Sequence, residues 1–371
     1  MIRLTHIMTS FDIGGAEQLV LDICRRLDRK RFEVTVVAVV RGGPMRAEFH
    51  DAGVHTEVIG KRTKLGLDTI RKLSAFLRSP KSDIVHTHLF GGDTWGRIAA
   101  RRVGVQHIVS TEHNVNLDEG FVKRFVKRRL ARRTDRIIAV SDAVRSYSIR
   151  YDRVPLGKML VIPNGVDASY FQSSAALPRY GVRLLTVGRL VHQKGHAVLI
   201  DALSLLRARC PQVSLDIVGD GPLRASLEQQ VRAYHLSDIV RFHGFRRDVR
   251  DFYQRADIVV LPSRWEGFGI AAIEASACSV PVVASAVGGL LEAIIDQETG
   301  ILVPVGDAKL LAEALSDLVA DRTQRVLMGH AGRRHVIRNF DIVRVVERYA
   351  ALYEELMSIS HRRGEHAEAA G

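Results

Sequence analysis

Four side chains in this 371-residue sequence have the types and placement to do chemistry on a phosphorylated ligand. Glu266 and Glu274 stand in PSRWEGFGIAAIEA (262–275), with seven residues between them, and Arg189 and Lys194 stand in GRLVHQKGH (188–196). A planar guanidinium fork and a mobile ammonium around one turn suit a diphosphate, though surface Arg and Lys are common and the charges alone mean little. Glu266 precedes a helix whose free N–H groups and dipole favour an anion such as phosphate. Gly267 and Gly269 let the backbone approach that anion. Glu274 sits among Ile270, Ala271, Ala277 and Cys278, where a carboxylate loses hydration and needs strong donors. The vicinal hydroxyls of a ribose would supply two to this acceptor-only group. Singly, each glutamate also suits a solvated loop or a helix's first turn; both in one glycine-bracketed frame favour a site.

Placing such groups takes strands, and the apolar runs supply them. Ile258 to Leu261 and Val280 to Ala284 read as buried parallel strands. Between them lie the glycine loop and a helix from Ile270 to Ala277, which makes one unit of an open α/β sheet with ligands beyond the strand ends. Arg183 to Val187 is the strand before Arg189, and an amphipathic helix runs on to Leu206. At the other end of the chain, Ile2 to Met8 is a first strand, Gly14-Gly15 a turn, and a helix is expected from Gln18. That turn is not GxGxxG, so a nicotinamide dinucleotide has little support. Strands Val34 to Val40, Ile84 to Leu89, Ile108 to Thr111 and Ile137 to Val140 follow. His86 and His88 share a strand face, which raises the question of a metal pair. No nearby acidic or cysteine ligand completes one, so packed histidines are the expectation. A lone histidine such as His113 would, by itself, be structural.

The combination EGFGIAAIE, SVPVVAS and VGGLLE in 266–292, with GRL and KG at 188–195 and IPNGVD at 162–167, resembles the retaining glycosyltransferases of family 4. The resemblance implies the α/β GT-B fold: two Rossmann-like domains facing across a cleft, with a C-terminal helix crossing back to the first. It places an acceptor-side domain at 1–174, a nucleotide-sugar domain at 175–342 and the returning helix at 343–360, with a disordered tail at 361–371. Ser173 to Pro178, small, polar and proline-bearing, is the expected linker. It also implies catalytic roles for His113, Arg189, Lys194 and Glu266. Gly15, Gly188, Arg189, Lys194, Phe245, Glu266, Gly267, Phe268, Gly269, Ile270 and Glu274 would bind the donor. His113 would touch the transferred sugar and nearby phosphate, and Phe245 would lie by the nucleotide base. Retention would follow from front-face displacement, with the leaving phosphate helping to deprotonate the acceptor. The expected substrates are a UDP- or GDP-sugar and a glycan or lipid-linked acceptor of cell-surface polysaccharide or glycolipid, including lipopolysaccharide. No Asp-x-Asp occurs in the chain, so the cations are expected to replace a metal, and no cofactor is expected. A sugar-nucleotide epimerase, a phosphorylase and a non-catalytic nucleotide-sugar scaffold share the fold. The first lacks assignable extra acid and base groups, the second lacks a segment for pyridoxal phosphate, and the four site residues count against the third.

Size and charge bound these readings. The length suits two domains, and 46% hydrophobic with 26% charged residues is the composition of a globular protein. The net charge of +13 attracts anions, yet no nucleic-acid motif appears and that class ranks last. Three scattered cysteines and no signal-peptide pattern, since Asp12 interrupts the start, lead to the expectation of a cytoplasmic protein. Segment 121–136 holds eight basic residues, Lys123, Arg124, Lys127, Arg128, Arg129, Arg132, Arg133 and Arg136, interleaved with Phe121, Val122, Phe125, Val126 and Leu130. Such a helix either lies on an anionic membrane surface or packs its apolar stripe on its own domain.

Overall fold

The computed structural model describes residues 1–61, 66–79, 81–115, 119–173 and 181–368. The chain forms two compact units, Met1–Asn164 with Val343–Gly371, and Gly165–Ile342. The division falls at 164, ahead of the boundary at 174 read from the sequence. Its cause is local: Val166 N–H bonds Phe340 O at 2.9 Å and Ile342 N–H bonds Val166 O at 3.0 Å. These bonds tie the IPNGVD turn to the end of the second unit. The expected linker lies from 174 onward outside the described residues.

The first unit is built on a parallel sheet of β1 (Ile2–Ser10), β2 (Phe32–Arg41), β3 (His55–Val58), β4 (Ile84–His88), β5 (His107–Glu112), β6 (Arg136–Ala139) and β7 (Met159–Val161). Their order is β3-β2-β1-β4-β5-β6-β7. Ile7, Val37, Val85 and Ile108 from its strands pack with Leu73, Ala99 and Ala100 from helices and with Leu77 just past a helix end. The helix Ile342–Glu368 belongs to this unit from Val343 on. Tyr349, Leu352, Tyr353 and Leu356 are its buried stripe, at the 3–4-residue spacing of one helix face. It runs to Glu368, so the tail expected to be disordered from 361 is helical over most of its length, and 369–371 lie outside the described residues. Once such a stripe fixes a helix, each further residue adds a backbone bond at low cost.

The second unit repeats the plan with β8 (Val182–Val187), β9 (Val213–Val218), β10 (Val240–Gly244), β11 (Ile258–Leu261), β12 (Val282–Ser285) and β13 (Gly300–Val303), in the order β10-β9-β8-β11-β12-β13. Every residue of β11 and β12 is buried, as their unbroken apolar runs require of parallel strands covered on both faces. Leu199, Leu203 and Leu206 of the helix His196–Arg207 seal one face and are fully buried. Truncating any of them to Ala should cost roughly 2–5 kcal/mol. In each unit the order turns back beside the first strand, between β1 and β4 and between β8 and β11. Loops leaving the carboxyl ends of such strand pairs form the ligand-binding position of this sheet type.

Candidate active site

In the second unit, the loops after β8 and β11 carry three of the four residues first singled out. Gly195 has φ +66°, and a Cβ there would fall 1.9 Å from Pro262 O. Only glycine lets the two loops meet so closely. They are also stitched by Arg264 N–H to Gln193 O at 2.8 Å and Gln193 Nε2 to Trp265 O at 3.1 Å. The result is a bond between two predicted site residues: Lys194 Nζ lies 2.5 Å from Glu266 Oε2. Ser263 Oγ donates to the same oxygen at 3.2 Å. Arg189, next to Gly188, is exposed, and its guanidinium has no partner among the described residues.

Behind this corner, Gly288 has φ +56°, and its Cβ would come within 2.0 Å of Glu266 O. The VGG turn is thus the back wall of the Glu266–Gly269 loop. Phe268 is buried and meets Phe340 edge-on at 5.2 Å. Its side chain props the loop, which leaves only its backbone to meet a ligand. The helix Ile270–Ala277 starts directly after Gly269, so its first N–H groups open beside Glu266. Glu274 on this helix accepts a 2.8 Å hydrogen bond from Tyr253 Oη. Tyr253 is fully buried, and burial beside that carboxylate holds its hydroxyl protonated well above the ordinary tyrosine range. Sequence spacing surrounds Glu274 with apolar neighbours and misses this donor, which lies 21 residues back on another helix. Phe245 follows β10 and is 52% exposed, open to stack on a base.

In the first unit, the helix begins at Gly15 rather than Gln18, with Gly14 in extended backbone before it. Glu17 in its first turn is buried, and that burial, with Asp12 nearby, pushes its carboxyl up to about 7. His113 follows β5 and is half-buried. His88 at the end of β4 reaches it, Nδ1 to Nε2, at 3.2 Å, and His6 of β1 reaches His88, Nδ1 to Nε2, at 2.9 Å. His86 bonds Tyr353 Oη and Thr111 Oγ1, each at 2.7 Å. The ring nitrogens of His6, His86 and His88 lie within 4.8 Å of one another, a spacing that invites a metal. Of their six nitrogens, however, only His6 Nε2 lacks a hydrogen-bond partner, and no carboxylate or thiolate joins the group. The other five nitrogens are thus each bonded to a protein group.

The helix Phe121–Ala131 divides its basic residues. Lys127, one of the eight basic residues of segment 121–136, is buried, with Nζ 3.3 Å from Glu112, 3.0 Å from Glu119 and 3.4 Å from Asp152. Burial alone would lower its pKa, but the three carboxylates outweigh that and raise it. Arg124 is half-buried and donates to Tyr147 Oη at 3.2 Å. Phe121, Val122 and Phe125 are 83%, 73% and 53% exposed, beside exposed Lys123, Arg128, Arg129, Arg132 and Arg133. Val126 and Leu130 are half-buried, so the apolar stripe is covered only in part among the described residues. No helix among the described residues is long and apolar enough to cross a membrane.

Comparison with known proteins covers the same two halves. Residues 13–170 match the family described as Glycosyltransferase Family 4, and residues 175–335 match Glycosyl transferases group 1. A glycogen synthase of Mycobacterium tuberculosis is 32% identical over 304 residues, covering 78% of this chain and 71% of the relative. The Escherichia coli UDP-Gal:alpha-D-GlcNAc-diphosphoundecaprenol alpha-1,3-galactosyltransferase is 25% identical over 96% of this chain and 97% of its own. Among solved structures, Anabaena Alr3699/HepE in complex with UDP superposes with a TM-score of 0.85 at 25% identity, over 96% of this chain and 100% of that one.

Proposed function

Because this chain belongs to the family 4, group 1 glycosyltransferases of the GT-B fold, we propose that it moves a hexose, with retained anomeric configuration, from a UDP- or GDP-sugar to a glycan or lipid-linked acceptor. The observation that carries this reading is the Lys194–Glu266 pair beside exposed Arg189 at the β8–β11 corner. A diphosphate leaving group needs positive charge where its own charge develops. Two charge-assisted contacts at roughly 1.5–3 kcal/mol each, with about 1 kcal/mol from the helix after Gly269, supply several kcal/mol without a metal.

In this account the bond from the anomeric carbon to the phosphate oxygen breaks, and its electron pair stays on the diphosphate. The acceptor oxygen attacks the same face and gives up its proton to the departing phosphate. Glu266 takes the sugar hydroxyls, Glu274 the ribose, and His113 the sugar and its phosphate. The substrate in the E. coli relative's name, a sugar on a diphosphoundecaprenol carrier, supports a lipid-linked acceptor. The exposed Phe121, Val122 and Phe125 among cations support an anionic leaflet as the place of work, at the cytoplasmic face. Lipopolysaccharide or a related surface glycan is the product class we favour.

A panel of UDP- and GDP-sugars, read first by thermal shift and then by product chromatography, tests the reading. Release of nucleoside diphosphate from the stabilising donor fits a transferase. Sugar isomerisation without release would make it an epimerase, and binding without either a scaffold.

A further inference from the structure

His6, His88 and His113 form a single file, because β1, β4 and the end of β5 are neighbours in the sheet. Two hydrogen bonds join the rings, His6 Nδ1 to His88 Nε2 at 2.9 Å and His88 Nδ1 to His113 Nε2 at 3.2 Å. His6 and His88 are fully buried. Desolvation holds His6 down at about 3, His113 at about 4 and His88 well below its ordinary value, so all three are neutral at pH 7.

A neutral imidazole has one N–H and one bare nitrogen, and each bond in the file needs one proton between its two nitrogens. The three tautomers are therefore locked together, and only two arrangements exist. In one, His6 and His88 each donate from Nδ1, His113 accepts at Nε2, and the proton of His113 sits on Nδ1. In the other every proton sits on Nε2, and His6 must point an N–H into the protein. His6 Nε2 is buried with no partner among the described residues. Stranding an N–H there forfeits a full hydrogen bond, and buried donors without acceptors are rarer than unfilled acceptors. The inner end of the file thus selects the first arrangement. The backbone fixes the middle of it: Leu89, directly after His88, has φ +60°. Such a conformation costs a bulky residue about 1 kcal/mol or more and persists only where the surroundings enforce it.

We infer that His6 and His88 are positioning residues that lock His113 as the Nδ1–H tautomer, so that it meets the donor's sugar or phosphate oxygens as a neutral hydrogen-bond donor and not as a base. The file does not carry protons through, since its inner end has nothing to exchange one with. The catalytic use of that N–H rests on the glycosyltransferase reading above; the tautomer itself does not.

Nitrogen-15 NMR of the ring resonances of the full chain tests the tautomer directly, with His113 assigned by its loss in His113→Gln. The expected result is a proton on Nδ1 and a bare Nε2 in the wild type; a proton on Nε2 would overturn the inference whatever the activity. His88→Asn keeps an N–H near the Nδ1 position and should preserve the His113 tautomer. His88→Phe cannot bond His113 and should release it to the Nε2–H form. On the donor found above, kcat should fall at least about 10-fold in His88→Phe with KM little changed, and His88→Asn should recover most of it. Equal kcat in the two variants would overturn the catalytic use, while the wild-type spectrum still decides the lock. Absence of any turnover in the wild type would sink the functional reading, and the spectrum alone would then decide whether the file sets the tautomer.

Discussion

Lys194 Nζ and Glu266 Oε2 are 2.5 Å apart, so a cation assigned to the diphosphate and a carboxylate assigned to the sugar are one ion pair. Each holds the other in place, with Ser263 steadying the carboxylate. The two side chains are only 27% and 12% exposed, and solvent screens such a pair less than it would a surface one. Removing either partner loosens the other. In a double-mutant cycle on donor turnover, Lys194→Ala and Glu266→Ala should therefore be non-additive, with a coupling of about 0.5–3 kcal/mol. Strictly additive losses would mean that the two act independently.

Tyr253 donates to Glu274 at 2.8 Å, which orients the carboxylate proposed to hold the ribose. Glu274→Gln should weaken nucleoside diphosphate binding about 10-fold, the effect of ~1.4 kcal/mol. Tyr253→Phe should weaken it less, since it removes an orienting bond and leaves the acceptor. Calorimetry showing unchanged affinity in Glu274→Gln would remove the ribose contact.

The contrast between these two residues shows what was legible in the sequence. Residues 258–289 hold one strand–loop–helix–strand unit and the turn after it, so Glu266, Glu274 and the glycines around them could be read from local spacing alone. Tyr253 comes from a different helix, and His6 and His88 from two strands and His113 from the end of a third, whose adjacency only the sheet order reveals. Segment 121–136 was read as one basic helix, but the helix ends at Ala131, Arg132 and Arg133 lie in the turn after it, and Arg136 opens β6; charge spread all round the segment also hid which face turns inward. Lys127 could be recognised as the inner residue only once Glu112, Glu119 and Asp152 were in place around it.

Glu17 gives a pH-dependent prediction. Burial raises its carboxyl from an ordinary 4.5 to about 7. A carboxyl raised in the folded state contributes stability that is fully present below pH 4.5 and lost as pH climbs through 7. The loss amounts to about 3 kcal/mol at most. Glu17→Gln carries no charge at any pH, so its unfolding midpoint should gain on the wild type between pH 5 and pH 8. The same gap at both values would show that the carboxyl titrates normally.

The exposed face of the Phe121–Ala131 helix and the turn after it give a test of the proposed membrane contact. Wild type should co-sediment with anionic vesicles at low salt and detach as salt rises, with each engaged cation worth about 1 kcal/mol at most. Changing Arg128, Arg129, Arg132 and Arg133 to Gln should abolish most of the binding, and Phe121→Ser with Phe125→Ser should weaken it further. Lys127→Gln is expected to fail differently: it leaves three carboxylates without their cation and should destabilise the fold. Wild type that stays in the supernatant at low salt would contradict the membrane reading.

The central claim, that Arg189 and Lys194 stabilise a nucleoside diphosphate leaving group, is tested most directly by donor turnover in the presence of EDTA. Wild type should release nucleoside diphosphate from its preferred UDP- or GDP-sugar at the same rate with and without the chelator. Arg189→Ala and Lys194→Ala should each be slower by about 100-fold or more while remaining folded. Near-normal turnover in both variants, or complete loss in EDTA that magnesium or manganese restores, would contradict the account.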